Sequence, residues 1–145
     1  MDKKSQITER RPSTCACQNL RRASLVITKI YNQKLSPKGL TAGQFSLLQN
    51  IKLLSPVCVS DLALKVGLDR TTLVRNLEPP EREDLIIDIS PRGTRNRHLQ
   101  LTDEGIKRYH STELLWQEAQ AFIEQRLGKD NVKNLAALLS EIETI

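Results

Sequence analysis

The residues from Asp69 to Leu77 form a set suited to reading paired bases. In Asp69-Arg70-Thr71-Thr72-Leu73-Val74-Arg75-Asn76-Leu77, helical spacing turns Leu73, Val74 and Leu77 inward and leaves Arg70, Thr71, Thr72, Arg75 and Asn76 outside. An Arg fork matches a guanine edge or a phosphate, Asn matches an adenine edge, and Thr bonds a phosphate or touches a thymine methyl. A second basic group follows. Arg92, Arg95 and Arg97 lie close together beside Pro91 and Gly93, and a narrow arginine-bearing loop can enter a minor groove, where the potential is most negative. Either group alone is also what a plain solvated surface looks like; the two in succession are far more specific.

The third group of reactive side chains is sulfur. Cys15 and Cys17 sit where a helix is expected to begin, and free N–H groups and the helix dipole at such a place favour a thiolate. The competing reading is a pair of small cysteines packed at a subunit interface. A zinc site built from Cys15, Cys17, Cys58 and a histidine lacks a second closely spaced pair, so no metal is assigned. His98 and His110 have no partner at metal spacing. There is no Cys-x-x-Cys, no Gly-rich phosphate loop and no nucleophile signature; a thiol oxidoreductase is therefore the weakest of the functional readings, and no cofactor is implied.

The elements that must hold these groups can be read from periodicity and caps. Residues 1–12 are charged and aperiodic, a flexible arm whose Lys3, Lys4, Arg10 and Arg11 suit a phosphate backbone. A helix is expected over 13–35, with Leu20, Ala23, Ile27, Ile30 and Tyr31 as its apolar stripe, broken by Ser36-Pro37-Lys38-Gly39. Thr41 and Gln44 have capping-box spacing ahead of Phe45, Leu47, Leu48 and Ile51. Val57-Cys58-Val59 suits a short strand. Ser60 is read as the cap of a helix over 61–66 closed by Gly67, and Asp69 as the cap of the next, with Leu68 and Leu73 placed as a hydrophobic staple. Two short helices about a glycine turn make a helix-turn-helix. Strands over 85–89 and 97–101 flank a turn-rich tip, 90–96. Thr102 caps a helix over 103–127 that ends at Gly128, and Asp130 is read as the cap of a last helix striped by Leu135, Leu138, Leu139 and Ile142.

Composition agrees with that plan. Aromatics are 3% of the chain, so the core must be aliphatic and the stacking platforms of single-stranded nucleic-acid binding are lacking. A net charge of +5 suits a polyanionic partner. No apolar run reaches membrane-spanning length, and no secretory leader is evident at the N-terminus, so a cytoplasmic location with no membrane partner is expected.

Three stretches together resemble the MarR family of winged helix-turn-helix regulators: Leu35-Ser36-Pro37-Lys38-Gly39-Leu40-Thr41-Ala42-Gly43-Gln44-Phe45; Val59-Ser60-Asp61-Leu62-Ala63 with 68–77; and Leu99-Gln100-Leu101-Thr102-Asp103-Glu104-Gly105. The resemblance spans roughly 15–143. It implies a mainly α fold with a small β hairpin, in which 13–40 and 103–145 supply dimerisation helices around a DNA-binding lobe at 41–102. It also implies a homodimer acting on a palindromic operator of double-stranded DNA, as a repressor. The apolar stripes on both terminal helices agree, being broader than a thin lobe can bury.

Three departures stand out. The wing triplet, Asp-x-Arg in the family, is Gly93-Thr94-Arg95 here, without the acid that orients the arginine. Glu78-Pro79-Pro80-Glu81 falls where similar proteins continue the recognition helix, and predicts a stop or kink near Glu78 with a new turn starting on a proline. Asp84 replaces a helix-breaking glycine. For the signal, the cysteines resemble the organic-hydroperoxide-sensing branch, in which Cys15, favoured over Cys17, would be the sensor and Tyr31 its partner; the second tyrosine of that branch is unmatched, Ala42 and Phe45 occupying its region. The alternative signal is a small aromatic or lipophilic effector lined by Trp116, Tyr31 and Phe45. A winged-helix protein-interaction module with weakened DNA binding, suggested by the prolines and the missing wing acid, is the competing function.

Overall fold

The computed structural model describes residues 3–4 and 12–145. Lys3 and Lys4 are in helical backbone, unlike the irregular arm expected there, and Arg10 and Arg11 lie outside the described residues. The first long helix, α1 (Ala16–Leu35), starts after Cys15. Its entry is held from a distance: the Asn19 side chain accepts from the Ser13 N–H at 2.9 Å and donates to the Ser13 carbonyl at 2.7 Å. A 3-10 turn, Ser36–Lys38, closes it, and Gly39 leaves that turn at φ 70°. In α2 (Ala42–Leu54) both halves of the capping box between Thr41 and Gln44 are made.

The short strand β1 (Val57–Cys58) leads directly into α3 (Val59–Val66), which is entered at Cys58 and not at Ser60. The reason is a tertiary bond. The Val59 N–H donates to the Arg97 carbonyl at 3.2 Å, so the first helical residue is hooked to the sheet and needs no side-chain cap. Gly67, at φ 71°, ends α3, and Asp69 accepts from the Thr72 N–H to start α4 (Arg70–Arg82).

The stop expected at Glu78 does not occur: α4 runs through both prolines. Leu73, Leu77 and Pro80 fall on one face and are buried, so packing of this stripe outweighs the local preference against proline. The sheet is antiparallel in the order β1-β3-β2, with β2 spanning Ile86–Asp88 and β3 His98–Leu101, both shorter than expected. Val57 faces Leu99 across one edge and Asp88 faces Leu99 across the other. Thr102 caps α5 (Asp103–Leu127) by accepting from the Gly105 N–H at 3.0 Å. Gly128, at φ 91°, separates it from α6 (Lys129–Glu143); Asp130 sits in the first turn of α6 and is not its cap.

The core lies between α2, α3, α4, the sheet and the start of α5. Leu48, Ile51, Leu62, Leu73, Leu77, Leu85 and Leu99 are all fully buried. Phe45 stacks on Tyr109 with ring centroids 5.3 Å apart and faces Trp116 at 6.3 Å. Phe45 and Trp116 are thus core packing, and the effector-lining role expected for them is not supported.

Candidate nucleic-acid interface

Burial in α4 follows from its sequence period. With Leu73 and Leu77 inside, Arg70, Thr71, Arg75 and Asn76 are exposed together. Val74, expected inside, is 36% exposed and belongs to this outer face. Thr72 is half-buried and turned back on the cap: its hydroxyl donates to Asp69 Oδ2 at 2.8 Å while its N–H donates to Oδ1 at 2.8 Å. These two bonds, the N–H first, hold the Asp69 carboxyl below its ordinary value. Thr72 therefore serves the helix start more than the outer surface. Arg70 Nη1 donates to Ser60 Oγ at 3.3 Å, a single bond across the turn.

Prolines have no N–H, so Pro79 and Pro80 leave the Arg75 and Asn76 carbonyls without their i+4 donors. These two residues and Pro79 border a cleft of about 210 Å³ against Thr41, Gly43 and Gln44 at the start of α2.

The wing tip is built by a turn in which Thr94 N–H and Oγ1 both donate to the Pro91 carbonyl, at 3.2 and 2.6 Å, with Gly93 at φ 82°. Arg92 and Arg95 are exposed there, and among the described residues neither has a protein partner. Arg97 behaves differently. Its Nη2 donates to Glu81 Oε1 at 2.7 Å and its Nε to Asp88 Oδ2 at 3.2 Å. The expectation that Arg97 is a free contact is corrected on this geometry. Burial works against its charge, but the bonds to Glu81 and Asp88 prevail and its pKa is raised.

Glu81, Asp88 and Ser90 were missed by sequence reasoning. Asp88 accepts from Ser90 Oγ at 2.6 Å, from the Ser90 N–H at 2.9 Å and from the His98 N–H at 3.3 Å. The Ser90 hydroxyl is the largest cause, opposed by burial and aided by the Ser90 N–H, Arg97 and His98, of a carboxyl lowered from 3.8 to about 2. The signal was available. Period two puts residues 97, 99 and 101 on one side of the strand, and Leu99 and Leu101 are buried. An arginine in that row points toward the core side and must find carboxylates.

The turn behind the wing is tightly seated. Asp84 adopts φ 57°, the left-handed conformation that the family's glycine supplies freely. The Thr102 N–H donates to the Leu85 carbonyl at 3.1 Å and Thr102 Oγ1 donates to the Asp84 carbonyl at 2.5 Å. A Cβ on Gly105 would lie 2.1 Å from the Leu85 oxygen.

Away from this face, a groove of about 490 Å³ between α1, α5 and α6 is lined by Leu20, Ile27, Tyr31, Ile123, Leu135 and Leu139 among others. The Tyr31 hydroxyl donates to Gln120 Oε1 at 2.5 Å, and burial, then Glu124, raise its phenol pKa. Cys15 and Cys17 are exposed, and Cys58 is half-buried. Tyr31 is not brought to Cys15 within one chain, since sixteen residues of helix span roughly 24 Å. Among the described residues no group of three or more His, Cys, Asp or Glu could hold a metal, and no helix is long and apolar enough to cross a membrane.

No protein-family model matches the chain, and no curated protein matches it. Solved structures do. The chain is similar to the M. tuberculosis transcriptional regulator MosR in complex with DNA, at 34% identity over 90% of this chain and 96% of that one, TM-score 0.78. It is also similar to MosR in a second crystal structure, at 32% identity over 92% and 98%, TM-score 0.76. At 21% identity, a mutant of E. coli MarR complexed with operator DNA shares the fold over 98% of this chain and 99% of that one, TM-score 0.79. CouR, a transcriptional repressor bound to p-coumaroyl-CoA, shares it at 24% identity over 89% and 91%, TM-score 0.81.

Proposed function

Since the chain belongs to the MarR family of winged helix-turn-helix transcriptional regulators, we propose that it represses transcription by binding a palindromic operator as a homodimer, and leaves it on a small-molecule or oxidant signal. The observation that carries this reading is the outward row Arg70, Thr71, Arg75 and Asn76, with the unpaired Arg92 and Arg95 on the wing beside it. A fold shared with MosR in its DNA complex supports it further. In this reading the start of α4 enters the major groove and the wing tip the adjacent minor groove. Arg75 and Asn76 read base edges, while Arg70, Arg92 and Arg95 neutralise phosphates or reach into the minor groove.

The dimer follows from apolar surface. Leu25 and Val26 on α1 and Leu135, Leu138, Leu139 and Ile142 on α6 are exposed in one chain, and a second copy covers them. Two-fold symmetry then sets the two α4 helices about one helical repeat, ~34 Å, apart. The groove beside Tyr31 lies among the same helices, so a compound held differently in two dimer arrangements shifts their populations. Cys15 and Cys17, exposed at the start of α1, are the other point of entry for a signal. The protein-interaction reading loses its main support, because α4 is unbroken at the prolines.

The test uses a duplex that the wild-type protein enriches from a randomised double-stranded pool. Arg75→Ala is expected to weaken binding to it roughly tenfold, and Asn76→Ala to relax preference at one position per half-site. A wild-type protein that enriches no duplex, or variants that bind as it does, would overturn the proposal.

A further inference from the structure

Arg97 is the one residue that joins all three parts of the proposed reading unit. Its carbonyl accepts from the Val59 N–H at the start of α3. Its guanidinium bonds Glu81 on α4 and Asp88 on β2. Asp88 in turn gathers the Ser90 N–H and hydroxyl and the His98 N–H, where the chain enters the wing and returns from it. Both ion pairs are about two-thirds shielded from solvent, and the Glu81 contact is as short as charge-assisted bonds become.

We propose that Arg97 is a positioning residue for DNA reading, which fixes wing and recognition helix as one body and does not itself touch DNA. This rests on the DNA-binding function proposed above. The charge count supports it. One guanidinium with two carboxylates leaves the cluster at −1, so electrostatically it opposes a phosphate backbone. A cluster that repels DNA contributes to binding only through geometry: Arg92 and Arg95 reach a groove at a set distance from Arg75 only if wing and helix keep one relative placement. Glu81, near the C-terminal end of α4, is also poorly placed for the helix dipole, and the arginine offsets that. The wing acid absent at Gly93 is thus replaced by Asp88, acting on a different arginine.

The sign of one substitution separates the possibilities. If Arg97 were a DNA contact and Glu81 only a competitor for it, Glu81→Gln would tighten binding by freeing Arg97 and removing a negative charge. Positioning requires the reverse. With the duplex enriched by the wild-type protein as probe, Glu81→Gln and Arg97→Met are each expected to weaken binding about five-fold, the scale of partly shielded ion pairs. The double variant is expected to be no weaker than Arg97→Met alone, and Arg97→Lys to recover part of the loss. The slope of log affinity against log salt stays at the wild-type value, and hydroxyl-radical protection fades only where the wing lies.

Glu81→Gln binding as tightly as wild type or more so overturns the proposal. So does a slope flattened by about 0.9 in Arg97→Met, the mark of a lost phosphate contact. A loss of affinity that follows the fall in melting midpoint, with protection fading evenly, makes Arg97 merely structural and also overturns it. Arg75→Ala serves as the reference. If it abolishes duplex preference while the Arg97 variants bind normally, DNA reading stands and positioning falls; if the wild-type protein enriches no duplex, both fall.

Discussion

The lobe formed by α2, α3, α4 and the sheet closes on its own core, while α1 and α6 leave their apolar faces open. Seven aliphatic side chains of the lobe and its adjoining turn are fully buried. In α1 only Leu35, at its last position, is buried, and in α6 no residue is. Leu25 stays 73% exposed. The two regions are equally helical, so the difference does not lie in backbone hydrogen bonding. It lies in where the stripe finds a partner: the lobe supplies its own, and the terminal helices require one from elsewhere. Specificity in the lobe is then a matter of intramolecular geometry, and order in the terminal helices a matter of association.

Four measurements break or sharpen that contrast. The largest effect is expected in the lobe, from Gly105→Ala. The added methyl meets the Leu85 carbonyl oxygen at 2.1 Å, so backbone must move, at a cost of about 3 kcal/mol in chemical denaturation. A variant as stable as wild type would mean the seat of α5 is loose. Next, Leu139→Glu on α6 is expected to raise the dimer dissociation constant roughly thirty-fold in sedimentation, with the lobe's fold unchanged by circular dichroism. A wild-type protein that sediments as a monomer at all concentrations would remove the contrast altogether.

A smaller effect, of opposite sign, is expected at the turn behind the wing. Asp84 holds φ 57°, and Asp84→Gly should stabilise the protein by about 0.5 kcal/mol in the same denaturation assay. The smallest is a pH effect. The Asp88 carboxyl is lowered from 3.8 to about 2 in the folded chain, so the unfolded chain binds its proton first as pH falls. Its contribution to stability is fully present above about pH 4 and is lost as pH falls toward 2. Asp88→Asn should flatten that part of the acid limb and leave neutral pH behaviour to the Arg97 geometry; an unchanged acid limb would show the carboxylate to be no better placed than in the unfolded chain.

Much of this was legible from residue types. Thr41 with Gln44, Asp69 and Thr102 marked three helix starts correctly, because each cap is a local bond between side chain and backbone. The outward residues of α4 followed from spacing around Leu73 and Leu77. What was hidden depends on residues far apart in the chain. Cys58, not Ser60, begins α3 because Val59 is held by Arg97. The helix persists through Pro79 and Pro80 because Pro80 is buried against the core, which no local preference reveals. Arg97 looked like Arg92 and Arg95 as a basic residue near a turn; its strand face, shared with Leu99 and Leu101, set it apart and was the cue passed over.

The close seating of Gly105 on Leu85 has a mechanical consequence. Thr102, through Asp84 and Leu85, and Arg108, through Glu83 at 3.8 Å and the Lys38 carbonyl at 3.2 Å, pin the base of α5 to the end of α4. With 25 residues, α5 is a stiff rod of roughly 37 Å. A sideways push of ~2 Å at its far end, beside α1 and α6, therefore arrives at its base as a tilt of about 3°. With no slack at that pivot, the tilt passes directly to the helix that carries Arg75 and Asn76.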